Sequence, residues 1–236
     1  MNLVIDIGNT KIKAGLFEKN NLITHFSFAA VDELEFILKD FNGQVLISNV
    51  ADKELNKVFL GINATCAFLT KDTPMPITIT YETPETLGLD RVLACVGGYE
   101  MTKKPCLVVD IGTCMTLDFV NELGVFVGGN ISPGPELRFQ SMHNFTANLP
   151  LEHLEKESKE IGKSTKEALQ SGVKYGIVHE IMGTYNQLLE KNPSIQLVLT
   201  GGYTTFFDSM LKEGIFAEPN LVLIGLNKIL NYNVKK

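Results

Sequence analysis

At 236 residues the chain can form one large domain or two modest ones sharing a cleft, and its 44% apolar and 20% charged residues suit an ordinary globular core. A net charge of −6 without a dense Lys/Arg run argues against nucleic acid or an anionic membrane as main partner; a bound polyphosphate must be met by a local site and a cation. No apolar run is long enough to span a bilayer, no signal-peptide pattern precedes the first strand, and the four cysteines fall in no C-x-x-C spacing, so a cytoplasmic protein with reduced thiols is expected.

The chain opens on Leu3-Val4-Ile5-Asp6-Ile7-Gly8-Asn9, a run of β-formers ending in Asp-Ile-Gly, and a second alternating segment follows to residue 17. This reads as a strand, a tight glycine turn and a returning strand, on which Lys11 and Lys13 alternate with Ile12 and point away from the core side. Leu22–Phe28 is a third strand, Val31–Phe41 a helix with Leu34, Ile37, Leu38 and Phe41 on one stripe, Gln44–Val50 a buried strand and Lys53–Leu60 a helix. That order belongs to a mixed-sheet α/β fold. A short strand near Cys66–Leu69 precedes Pro74 and Pro76, which exclude a central helix. Thr83-Pro84-Glu85 reads as a helix start, so Leu87-Gly88-Leu89-Asp90-Arg91 falls in the first turns of a helix running through small apolar residues to Gly98. Lys103-Lys104-Pro105 makes the join, dividing the chain into 1–104 and 105–236.

The second half repeats the opening: Leu107-Val108-Val109-Asp110-Ile111-Gly112-Thr113 aligns with residues 3–9 without a gap. A hairpin over roughly 106–120 and a strand over Gly124–Val127 are expected, then a loop through the Gly/Pro-rich run from Gly128 to Pro135. A helix over Glu136–Phe145 and an exposed charged stretch over Pro150–Lys159 follow. Ser164-Thr165-Lys166-Glu167 is a capping-box pattern opening a helix to about Lys191, on which Ala168, Gly172 and Gly176 recur every fourth residue and permit close approach of another helix. Ile195–Thr200 is a strand, Gly201-Gly202 a sharp turn, Thr204–Leu211 a helix and Leu221–Leu230 a buried helix.

An Asp at the mouth of a turn rich in backbone N–H and hydroxyl groups suits a phosphate and its metal ion: amides cradle the anion and the carboxylate holds the cation. A single such hairpin reads better as an Asx-turn; two, one opening each half, point to a duplicated nucleotide-binding fold with a cleft. Asp6 and Asp110 are the duplicated acids, and Thr10, Thr113 and Thr116 can donate hydroxyls to phosphate. Asp90-Arg91 has two readings: a dipole-favoured helix acid beside a surface arginine, or a base for a substrate hydroxyl beside a guanidinium that holds an anionic oxygen. No G-x-x-x-x-G-K-S/T or G-x-G-x-x-G motif is present, which excludes the Walker and Rossmann phosphate sites.

The two Asp-Ile-Gly hairpins and the late Gly-Gly turn resemble the motifs of the actin/hexokinase/Hsp70-like ATPase superfamily. Within it the chain resembles type III pantothenate kinase along almost its whole length. The resemblance is carried by Asp6-Ile7-Gly8-Asn9-Thr10, Tyr81, Thr83-Pro84-Glu85-Thr86-Leu87-Gly88-Leu89-Asp90-Arg91, Asp110-Ile111-Gly112-Thr113, Gly128-Gly129, Ser132-Pro133-Gly134, Ser164-Thr165, Ala168, Gly172 and Thr200-Gly201-Gly202. It implies an α/β fold of duplicated actin-like (ribonuclease H-like) domains, with mixed sheets flanked by helices. It also implies phosphorylation of the primary hydroxyl of pantothenate by ATP, the first step toward coenzyme A. By analogy Asp90 is the general base, and Tyr81, Gly88, Leu89, Asp90, Arg91 and Thr165 hold pantothenate. Asp6, Ile7, Gly8, Asn9, Thr10, Lys11, Ile12, Lys13 and Thr113 contact ATP, and Asp110 binds a monovalent cation, K⁺ or NH4⁺, with Mg²⁺ accompanying ATP. The family is homodimeric, with Thr165 reaching the site from the partner. Cys114-Met115 departs from the small residues and Thr usual there. The alternatives are another small-molecule kinase of the superfamily or a non-catalytic nucleotide-binding regulator.

Overall fold

The computed structural model describes residues 1–8, 11–39, 41–49, 65–211 and 215–234. The helix expected over Lys53–Leu60, together with Asn9, Thr10 and Val50, lies outside the described residues. The chain folds as two compact units, one of Met1–Met101 with Gly124–Phe126 and Asn220–Lys236, the other of Thr102–Leu123 with Val127–Pro219. The crossing after Met101 lies close to the expected join at Lys104, and the chain crosses back again for two further segments.

In the first unit β1 (Asn2–Ile7), β2 (Ile12–Glu18), β3 (Asn21–Phe28), β4 (Gln44–Asn49) and β5 (Thr65–Phe68) form a sheet in the order β3-β2-β1-β4-β5. The β1–β2 and β2–β3 pairs are antiparallel hairpins, while β4 and β5 add in parallel. Strand alternation sends Leu3, Ile5, Ile7, Val45 and Ile47 to one face, where they pack with Leu34 and Leu38. Those two leucines lie on a 3-10 turn (Val31–Leu34) and the single-turn helix α1 (Glu35–Leu38), a shorter element than the helix expected over 31–41. Only a narrow stripe goes inward, and Phe36 on the far side is 85% exposed.

The opposite face carries α6 (Leu221–Val234), which packs on β1, β4 and β2. Asn2 Nδ2 donates to Asn227 Oδ1 (2.8 Å) and Asn231 Oδ1 (2.9 Å), so polar groups at the strand start fix the helix. Against α6 lies α2 (Leu89–Thr102), and glycines set the crossing: a Cβ at Gly225 would stand 2.0 Å from the Leu93 carbonyl oxygen, and one at Gly97 would stand 2.5 Å from that of Leu221. The helix expected from Thr83 begins only at Leu89. Thr86 N donates to the Thr83 carbonyl (3.0 Å) and its hydroxyl meets the Thr83 hydroxyl (3.0 Å), so residues 83–86 close a turn of their own. The short strand β6 (Thr78–Ile79) pairs in parallel with the first two residues of β9 (Val125–Pro133).

In the second unit β7 (Cys106–Ile111) and β8 (Cys114–Val120) form the repeated hairpin, and β10 (Gln196–Thr200) lies parallel beside β7. The strand β11 (Phe216–Ala217) borders β10, and the rest of β9 borders β8. β9 runs through the Gly/Pro-rich segment expected as a loop. Gly129 makes this possible: a Cβ there would lie 2.2 Å from the Leu117 carbonyl, so the bare backbone lets β9 close on β8. Leu107, Val109, Ile111, Met115, Leu117, Leu197 and Leu199 face α3 (Pro135–Asn144) and α4 (Thr165–Lys191) through Phe139, Leu169, Val173, Ile177 and Ile181. The helix expected over Thr204–Leu211 is the short α5 (Thr204–Phe207) followed by a 3-10 turn, Asp208–Met210. Ser164 caps α4 as expected, its hydroxyl accepting from Glu167 N (3.2 Å); the Glu167 carboxylate accepts from Lys163 N (2.7 Å) instead of closing the box on Ser164.

Each unit thus contains the same construction: a hairpin whose first strand ends in Asp-Ile-Gly, and a parallel strand beside that first strand. In both, a hydroxyl residue stands in register with the Asp, Ser48 opposite Asp6 and Thr200 opposite Asp110.

Candidate active site

The acids sit where parallel strands end, the edge of an α/β sheet at which ligands bind. In the first unit Asp6 is the penultimate residue of β1, with Lys13 opposite it on β2 and Ser48 opposite it on β4. Asp6 is partly exposed but densely surrounded: burial pushes its pKa up to about 6, the Asp90 charge adds to the rise, and the Ser48 hydroxyl and Lys13 oppose it. Ser48 is fully buried, and its Oγ has no partner of hydrogen-bond geometry among the described residues, so the hydroxyl acts on Asp6 as a nearby dipole. Asp6 and Asp90 therefore share one electrostatic neighbourhood although sequence reading treats them as separate motifs.

Asp90 is the second residue of α2 and is exposed. Its Oδ1 accepts from Arg91 N (2.9 Å). A Cβ at Gly88 would lie 2.4 Å from that same oxygen, so the glycine leaves the space the carboxylate occupies. Arg91 is only 7% exposed, and its guanidinium lies 5.7 Å from the Tyr81 ring centre and 5.8 Å from that of Phe126. A cavity of about 460 Å³ includes Tyr81 in its wall, with Leu87, Leu89 and Val92, and Lys71 and Glu85 among its polar residues. On the hairpin turn Gly8 N donates to the Lys11 carbonyl (3.1 Å), Lys11 is exposed, Lys13 is half-buried and Ile12 is buried with Ile7, as the alternation predicts. Asn9 and Thr10 fall outside the described residues.

In the second unit Asp110 is the penultimate residue of β7, and Gly112 N donates to the Cys114 carbonyl (3.0 Å) across the turn. The exposed Thr113 accepts at its carbonyl from Gly134 N (3.0 Å). The Gly-Gly turn closes on this hairpin: Gly201 has φ +95°, and a Cβ there would stand 2.3 Å from Asp110 Oδ1 and 2.5 Å from the Ile111 carbonyl oxygen. Tyr203 N donates to that Ile111 carbonyl (3.1 Å), and Thr204 Oγ1 donates to the Gly201 carbonyl (2.7 Å). The two motifs are one assembly that only glycine permits. The Cys114-Met115 departure divides cleanly, with Met115 in the core opposite Ile111 and Cys114 exposed. Thr116 stands in register with Asp110.

Thr165 is the exposed first residue of α4 in the second unit. A Cβ at Gly172 would meet nothing within 4 Å and one at Gly176 only an Arg138 nitrogen at 3.6 Å, so no described helix backbone packs closely on that face. Sequence reading missed Phe126 and Ser48. Both belong to unremarkable strands, and only pairing across the fold brings them to Arg91 and Asp6. Among the described residues no three His, Cys, Asp or Glu side chains gather as a metal cluster. The donors present are carboxylate, hydroxyl and carbonyl oxygens, a set that suits hard cations such as Mg²⁺ or K⁺. No helix among the described residues is long and apolar enough to cross a membrane.

The sequence family described as "Type III pantothenate kinase" matches residues 2–187. The chain is 42% identical to a type III pantothenate kinase of Bacteroides fragilis, over 99% of this chain and 98% of that one. Among solved structures it is similar to a protein of Campylobacter jejuni described as a Baf family transcriptional activator (TM-score 0.65, 22% identity, 99% of this chain and 100% of that one). A ROK hexokinase from Thermus thermophilus shares the fold at TM-score 0.50 and 11% identity, over 98% of this chain and 99% of that one.

Proposed function

The chain belongs to the type III pantothenate kinase family, and from that premise we propose that it transfers the γ-phosphoryl group of ATP to the primary hydroxyl of pantothenate, the first step of coenzyme A biosynthesis. The observation that carries this reading is the exposed Asp90 carboxylate at the start of α2, in one electrostatic neighbourhood with Asp6 and next in sequence to a guanidinium that rests against two adjacent rings.

Phosphoryl transfer asks little covalent chemistry of a protein; it asks for in-line positioning and neutralised charge. In our reading Asp90 accepts the proton of the attacking hydroxyl. Arg91 holds the pantothenate carboxylate, and Tyr81, Gly88 and Leu89 shape the surrounding wall. The turn from Asp6 to Lys13, with its Ile7, Gly8, Asn9, Thr10, Lys11 and Ile12 backbone, and Thr113 receive the ATP phosphates. Mg²⁺, when bound with ATP, would neutralise phosphate charge, and Asp6 is the acid we assign toward it. Asp110 with neighbouring carbonyls would hold K⁺ or NH4⁺. We read the two units as products of duplicated halves, 1–104 and 105–236, because each repeats the hairpin, the parallel strand and the hydroxyl in register with its Asp. We also assign a homodimer formed through the open Gly172 face of α4, with Thr165 completing the partner's site, and a cytoplasmic location.

A coupled ADP-release assay over a panel of hydroxyl substrates, with and without potassium, tests the proposal. ADP release that requires pantothenate is the expected result. Release independent of any added acceptor, or preferring a sugar, overturns it.

A further inference from the structure

We propose that Phe126 is a positioning residue for Arg91: its ring and that of Tyr81 stand side by side against the guanidinium and fix its orientation toward the anionic end of the substrate. This deepens the reading that Arg91 receives the pantothenate carboxylate and rests on it.

Arg91 is nearly buried, so its charge needs compensation from its surroundings. Aromatic rings contribute to this through their quadrupoles and, by their contact, restrict the guanidinium's orientation. The two rings lie at almost equal distance from the guanidinium carbon, 5.7 and 5.8 Å, with their own centroids 5.9 Å apart and tilted by 59°.

The backbone of Phe126 governs the second ring as well. Ile79 of β6 stands in register with Phe126, and the Phe126 carbonyl accepts from both the amide (3.2 Å) and the hydroxyl (3.1 Å) of Thr80, the residue immediately before Tyr81. One residue therefore supplies one ring and anchors the segment that delivers the other. This accounts for the return of Gly124–Phe126 to the first unit at the start of β9, a strand whose remainder belongs to the second.

The test is Phe126→Leu, which keeps apolar bulk and the backbone bonds but removes the π face, with Phe126→Met as a second variant and Phe126→Tyr to restore an aromatic ring. Steady-state kinetics are measured on pantothenate and on its neutral alcohol analogue, in which a hydroxymethyl group replaces the carboxylate; the analogue is followed by turnover or as a competitive inhibitor. For Leu and Met we expect kcat/KM on pantothenate to fall about three- to thirtyfold, mainly through KM, with the neutral analogue within about twofold of wild type and Tyr recovering most of the loss. An unchanged value on pantothenate, or equal losses on both compounds, overturns the inference. Arg91→Gln separates the two levels. If it penalises both compounds equally, the carboxylate reading itself fails. If it penalises only pantothenate while Phe126→Leu and Phe126→Met spare it, the positioning role alone fails.

Discussion

Asp6→Asn should stabilise the ligand-free protein at neutral pH while weakening its use of nucleotide. Burial disfavours the charge of Asp6 and pushes its carboxyl pKa up from the ordinary 3.8 to about 6. A rise of that size corresponds to roughly 3 kcal/mol of unfavourable charge burial once the group is fully ionised. The sign follows from proton linkage. Between about pH 4 and pH 6 the native state binds more protons than the unfolded chain, so the Asp6 contribution is favourable at low pH and is lost as pH rises through 6. Water reaching the partly exposed site and the buried amide of the replacement reduce the recoverable amount, and we expect a gain of about 1–2 kcal/mol at pH 7.5. For a chain of this length that is a Tm increase of roughly 2–8 °C. Urea or thermal unfolding of both proteins at pH 4.5 and pH 7.5 measures it. The variant should gain at pH 7.5, the gain should shrink at pH 4.5, and stabilisation by Mg-ATP should be smaller than in wild type. A variant no more stable at pH 7.5, or one with the same difference at both pH values, would refute the argument that desolvated charge is held at this position until a cation neutralises it.

Two further outcomes are expected. Asp110→Ala should blunt activation by potassium relative to sodium while leaving the hairpin folded, and equal rates in both salts before and after the change would remove Asp110 from the cation site. Gly172→Leu places a large side chain on the open face of α4, and at a two-fold helix seam it should cost roughly 1–3 kcal/mol per buried side chain. Light scattering and activity should then fall together and recover in part at higher protein concentration; a fully active monomer returns that face to solvent.

How much of this was legible in the sequence depends on how local each cause is. The β1–β2 and β7–β8 hairpins were legible because Asp-Ile-Gly occurs twice at the end of the same apolar pattern, and α4 because Ser164 and Glu167 mark its start and its length carries it through. The start of α2 was misread because Thr83-Pro84 has the chemistry of a helix cap, whereas Thr86 closes the turn on Thr83 and the helix waits for Leu89. Composition suggested a loop for Gly128–Pro133, but a strand forms because β8 offers an edge that only a glycine-bearing backbone can approach. The docking of α6 on the first sheet left no local signal, since its determinants, Asn2 with Asn227 and Gly97 with Gly225, are far apart in the chain. The same holds at the candidate site. Asp6, Asp90, Asp110 and Gly201 announce themselves by motif, while Phe126 and Ser48 acquire their surroundings only through strand pairing.

The most direct measurement is single-turnover transfer from labelled ATP to pantothenate by Asp90→Asn, paired with nucleotide binding to the same preparation. Loss of a positioned general base predicts a rate lower by about 10²–10⁴ with nucleotide affinity and melting temperature close to wild type. Transfer within a few-fold of the wild-type rate would contradict the assignment of Asp90 as the base.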